Sequence, residues 1–135
     1  MNPSILIAIA LGVSSAVTVH AVPSPPAAEV KPPGGVDPKL SSADPEYGYS
    51  QKKPVKVGNG PSGERAYFST LLDEAGQPVK FSRLGSYGPG PDGNILDGYE
   101  VKTSTGRTLT IYIDMYHAKN DPRQQLAPKG LFKAK

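Results

Sequence analysis

The sequence predicts an α+β fold: one helix packed on a small antiparallel sheet, a three-stranded meander plus a short N-terminal strand. Three observations carry this. Apolar residues recur at helical spacing once, at Tyr67, Phe68, Leu71 and Leu72. Leu109, Ile111, Ile113 and Met115 alternate with Thr110, Tyr112, Asp114 and Tyr116, the period of a half-buried strand. Clusters of Gly, Pro, Asn and Asp punctuate the apolar segments where turns belong.

The elements follow in order. Pro54 to Gly58 reads as a short alternating strand ended by glycine. Asn59-Gly60-Pro61-Ser62 is helix-start chemistry, with Ser62 or Asn59 as N-cap. The helix is predicted over 62–74, with Glu64 near the positive end of its dipole. Arg65, Ser69, Thr70 and Asp73 form its polar side. Ala75-Gly76-Gln77-Pro78 closes it. Val79 to Leu84 is a weakly alternating strand, and the Gly- and Pro-rich stretch 85–93 a long turn. Ile95 to Thr103 is the next strand, with Tyr99 and Val101 on one face and Glu100 and Lys102 on the other. Ser104-Thr105-Gly106-Arg107 is a hairpin turn into the 109–116 strand. Leu126 to Phe132 is a candidate edge segment.

This domain, residues 47–135, stands behind two segments of different composition. Residues 1–21 read as a signal peptide: an apolar run from Ile5, no charged side chain before Glu29, and Val19-His20-Ala21 as the cleavage site. Ser14-Ser15-Ala16 is a second candidate site, and the n-region lacks Lys and Arg. An uncleaved anchor and a buried core helix are the other readings; the apolar run is short for a span of about 20 residues. Cleavage after Ala21 gives an exported protein, periplasmic or secreted, with no stable membrane span. Residues 22–46 hold seven prolines and few large apolar groups, so a disordered, partly polyproline II spacer is expected.

Charge separates the segments too. The spacer has two basic and four acidic residues, net −2; residues 47–135 have thirteen basic and eight acidic, net +5. The domain is mildly basic, but it lacks the dense basic stripe with interleaved aromatics that nucleic-acid binding needs. The chain has no cysteine, which excludes disulfides, thiolate metal sites, a cysteine nucleophile and a lipidated N-terminal cysteine.

Candidate chemistry is sparse. His117 is the one histidine beyond the signal segment, close in sequence to Asp114 and Asp121. One His with scattered carboxylates reads as a surface histidine, and no metal or cofactor is expected. Asp92-Gly93-Asn94 reads as a turn; it begins like a calcium loop but lacks the later spacing. Ser82 or Ser86 could partner His117, without any nucleophile-elbow signature. The Gly85–Gly90 stretch lacks the spacing and lysine of a phosphate loop. Arg83, Tyr87, Tyr99, Tyr112, Tyr116 and His117 form the candidate binding set, because tyrosine and arginine beside a Gly/Pro loop suit protein recognition. The same tyrosines also serve as ordinary half-buried sheet residues.

Several short stretches resemble a family of small exported bacterial domains of unestablished function. They are Pro54 to Gly58, Glu64 to Tyr67, Arg83 to Ser86, Asp97 to Val101, Tyr112 to Tyr116 and Ala127 to Leu131. Similar chains are often lipoproteins and carry cysteines after the Gly-Ser, where this chain has Tyr87. Some bear a sugar-phosphate aldolase label, yet residues 47–135 are too few for a (β/α)₈ barrel of about 250 residues. The expected function is therefore a non-enzymatic binding domain for an envelope or secreted partner. The alternatives are a small envelope hydrolase using His117 and a carboxylate, and a structural envelope component.

Overall fold

The computed structural model describes residues 31–135. The expected signal peptide and the first part of the expected spacer lie outside the described residues. The described chain is α+β, with one α-helix, a mixed four-stranded sheet and a separate two-stranded sheet.

Strand β1 (Val55–Gly58) leads into helix α1 (Gly60–Phe68), and β2 (Leu71–Leu72) follows at once. Strands β3 (Lys80–Pro89), β4 (Ile95–Lys102) and β5 (Thr108–His117) form the antiparallel meander. β1 runs parallel to β5, so the sheet order is β1-β5-β4-β3 and the sheet is mixed rather than antiparallel. β6 (Phe132–Lys133) pairs antiparallel with β2.

The core lies between α1 and the sheet. Tyr67 and Phe68 from the helix meet Val55, Val57, Tyr99, Val101, Ile111 and Ile113. Phe68 carries most of the aromatic contact: its ring centroid is 4.4 Å from Tyr99 and 5.2 Å from Phe81. Tyr47, Tyr49, Leu109 and Met115 close the margins of this cluster.

The helix is shorter than its apolar spacing predicts. Ser69 Oγ donates to the Arg65 carbonyl (2.7 Å) and Thr70 Oγ1 to the Tyr67 carbonyl (2.6 Å). Hydroxyls bonded back in this way compete with the next helical turn. Leu71 then reaches the core from an extended strand, and Leu72 faces Phe132. The N-terminus also departs from expectation. Asn59 is the cap residue, but it adopts φ 69° and its side chain makes no cap bond. Asp73, expected on an exposed polar side, is fully buried: it accepts the amides of Ala75 (2.9 Å), Gln77 (3.0 Å) and Ser104 (2.7 Å). It thereby ties the 73–77 turn to the β4–β5 hairpin.

Two further corrections concern the loop and the spacer. The predicted 85–93 turn is mostly strand, because β3 continues to Pro89 through irregularities between Arg83 and Gly85 and between Tyr87 and Pro89. The turn itself closes over Gly90–Asn94, where the Gly90 amide reaches the Asn94 carbonyl at 2.7 Å. The end of the expected disordered spacer is packed on the domain. Val36 is 3% exposed and bridges Ala134. The Ser42 amide bonds Ala127 O (2.8 Å), and the Ala127 amide bonds Leu40 O (2.7 Å). Residues 126–135 thus lie between the segment from Val36 and the rest of the domain.

Candidate functional site

The alternation of β4 and β5 sorts the candidate residues onto opposite faces of the sheet. Tyr99 projects to the helix side and is buried against Phe68, so it does not form part of a contact surface. Its hydroxyl donates to Glu64 Oε2 at 2.8 Å. Glu64 is itself 1% exposed, and its other oxygen, Oε1, has no hydrogen-bond partner. Burial and the Asp97 carboxylate push Glu64 up to about 7, against the Tyr99 hydroxyl's donation. Glu64 is therefore a buried acid, not a helix-dipole residue.

Arg83 belongs to the same group. Its guanidinium grips Asp97 through Nε (2.8 Å) and Nη2 (3.0 Å), and Nη2 also reaches Ser86 Oγ at 2.8 Å. Asp97 is nearly buried, so this bidentate pair seals the sheet edge above Glu64 and Tyr99. Ser86 is committed to this group.

The other face carries the remaining candidates. The Tyr87 and Tyr112 rings meet edge to face at 5.2 Å. Tyr87 rests over Gly98, where a Cβ would stand 2.2 Å from Tyr87 Cε2. The missing side chain seats the ring. Tyr112 lies opposite Gly98 in the β4–β5 register, which explains why both rings converge there. Tyr116, two strand positions beyond Asp114, is 58% exposed.

At the end of β5 the structure assembles a polar cluster. Asp114 is paired with Lys56 of β1, and His117 with Gly58. The 90–94 turn folds over them. His117 Nε2 lies 2.9 Å from Asp114 Oδ2 and 3.3 Å from Asp92 Oδ2. Lys56 Nζ lies 2.8 Å from that same Asp92 oxygen. Asp114 is wholly buried; it accepts the Tyr116 amide at 3.0 Å and the Asn94 side-chain amide at 3.1 Å. Burial alone would raise its pKa, but the Tyr116 amide, His117 and Asn94 hold the carboxyl below its ordinary value.

Sequence places His117 near Asp114 but gives no sign of Asp92, Asn94 and Lys56 as its neighbours. Asp92 and Asn94 sit in the turn before β4 and Lys56 on a distant strand, and the β4–β5 and parallel β1–β5 pairings bring them together. No local spacing encodes the parallel pairing.

The same holds for Lys133, a residue no sequence pattern singles out. It is buried, donates to Pro122 O at 2.9 Å and to Thr70 Oγ1, and stands 4.3 Å from the Tyr67 ring centroid. Burial pushes its ammonium down to about 7, opposed by Asp121.

Among the described residues no helix is long and apolar enough to cross a membrane. Fold and site define a small α+β domain with one aromatic sheet face and one polar cluster beside it. No family model, curated protein or solved structure matches the chain.

Proposed function

We propose that the chain is an exported, non-enzymatic binding domain for an envelope or secreted protein, with Tyr87, Tyr112, Tyr116 and His117 as its contact face. One observation supports this above others: the sheet face opposite α1 carries the half-buried Tyr87–Tyr112 pair beside the turn that covers Leu96 and Asp114, with a largely exposed Tyr116 on the same strand face. Tyrosine offers large contact area with few rotatable bonds and a polar tip, which suits such surfaces. Arg83 and Tyr99 leave the proposed contact set, since one is held by Asp97 and the other is buried.

Export rests on the N-terminal sequence, and the partner class follows from export. A photoreactive residue placed at Tyr116 in the full chain, expressed in its native cells, should yield a discrete crosslinked adduct after export. The same probe at Arg65, exposed on α1, should not. Equal adduct patterns at both positions would refute the assigned face; no adduct at either, with the protein exported, would refute the binding role.

A further inference from the structure

We propose that Asp92, Asp114 and His117 form a site for one divalent cation of the zinc class, a role that goes beyond the partner reading above and shares only His117 with it. One ligand atom from each residue lies within 4.8 Å of the other two. A tetrahedral ion at about 2.0–2.1 Å from its nitrogen and oxygen ligands sets those ligands about 3.3 Å apart. His117 Nε2 stands 2.9 Å from one carboxylate oxygen and 3.3 Å from the other, close to that spacing, while the two carboxylate oxygens lie within 4.8 Å of each other.

A second observation separates the cluster from a plain ion-pair network. His117 Nε2 is buried, yet it makes no well-aligned hydrogen bond, although carboxylate oxygens stand 2.9 Å and 3.3 Å away. A nitrogen enclosed between two carboxylates and bonded to neither is oriented for a central cation. The ring itself is 27% exposed, which leaves an entry path.

The surroundings fit as well. Ligand carboxylates in metal sites are held by outer hydrogen bonds that fix their direction. Asp114 has them from the Tyr116 amide and the Asn94 side chain, and its place on β5 is rigid. Asp92 contributes from the 90–94 turn. One imidazole with two carboxylates, and a solvent position to complete the set, selects zinc-like ions over calcium and magnesium, which prefer all-oxygen shells.

One group competes. The Lys56 ammonium lies 2.8 Å from the Asp92 oxygen the ion would use. Its side chain is half exposed, so it can swing into solvent when the ion enters. Lys56 thus acts as a stand-in cation that weakens binding.

The test is calorimetric titration of the full chain with Zn²⁺, and separately with Mg²⁺ and Ca²⁺. The chain has a second histidine, His20, so His20→Ala serves as the control. The expected result is one saturable Zn²⁺ site in the wild type and in His20→Ala, with no heat from Mg²⁺ or Ca²⁺. His117→Ala and Asp92→Asn should each weaken binding by at least about tenfold, on the scale of lost metal-site interactions. Asp92 lies on a surface turn, so its variant reports on the ion with little effect on folding. Lys56→Met should tighten binding severalfold. Co²⁺ bound in place of Zn²⁺ should show visible ligand-field bands that vanish in His117→Ala. The proposal is overturned if the wild type shows no saturable Zn²⁺ binding, if His117→Ala binds as tightly, or if only His20→Ala abolishes it.

Discussion

Two buried titratable side chains, Glu64 and Lys133, set the unusual electrostatics at the scale of single residues. Glu64 is pushed up to about 7, above its ordinary 4.5. The fold therefore favours its protonated form, and its contribution to stability is complete below about pH 4.5 and lost as pH rises towards 7. A shift of this size corresponds to on the order of 3 kcal/mol. Lys133 is pushed down to about 7 from 10.5, so the fold favours its neutral form. Its contribution grows as pH rises from about 7 towards 10.5. The two effects converge on a stability minimum near neutral pH, the reverse of the usual neutral optimum. Chemical denaturation between pH 4.5 and 9 should show that minimum, and Glu64→Gln should abolish the fall between pH 4.5 and 7. An unchanged acid-side slope in Glu64→Gln would place the titrating group elsewhere. Neither residue was legible as buried in the sequence. Glu64 reads as a favourable first-turn acid, and Lys133 as one of four basic residues near the C-terminus; only the packing of α1 on Tyr99 and of β6 on β2 removes them from water.

At the scale of elements, the strands of the meander were legible because alternation is a local property. Val101, Ile111 and Ile113 fall on the buried face that their period of two implies. The end of α1 was not legible, since the spacing of Tyr67, Phe68 and Leu71 fits a helix whether or not the chain leaves it at Ser69. The start of α1 turns on a close approach that sequence does not display. A Cβ on Gly63 would lie 1.7 Å from the carbonyl oxygen of Gly58, the last residue of β1. That oxygen is backbone, held by the strand, and cannot rotate away. Two effects then oppose each other in Gly63→Ala. Helix propensity favours alanine by up to about 1 kcal/mol. Overpacking of this kind costs about 1–3 kcal/mol, and a contact this short belongs at the upper end. The clash wins, so Gly63→Ala should be destabilised by on the order of 2 kcal/mol in urea denaturation. A stabilised variant would mean that α1 can pull away from β1, and that the junction is looser than its contacts imply.

For the whole molecule, the boundary of the folded unit is the informative disagreement between sequence and structure. Composition drew it at Tyr47, because prolines and small residues dominate residues 22–46 and offer little to bury. Among the described residues of that stretch Val36 is the buried apolar side chain, and the C-terminal residues give it a place. The Asp37 amide bonds Lys133 O (2.9 Å), Ser41 Oγ bonds Leu131 O (2.8 Å), and the Lys135 amide bonds Gly35 O (3.1 Å). These contacts join residues 90 to 100 positions apart, beyond the reach of any windowed reading. They also hold the strand that carries Lys133 against β2. Burying a valine contributes about 1.5–3 kcal/mol relative to leaving it exposed. Each kcal/mol that the docked segment adds raises Tm by roughly 4–8 °C for a domain of this size. A chain beginning at Gly34 should therefore melt above one beginning at Tyr47, by at least roughly 4 °C, measured by circular dichroism at one pH and concentration. Val36→Ala in the longer chain should remove part of that difference, showing that the apolar contact contributes along with the backbone bonds. Equal melting temperatures for the two chains would return the boundary to Tyr47 and reduce the Val36–Ser42 segment to a surface strap without energetic weight.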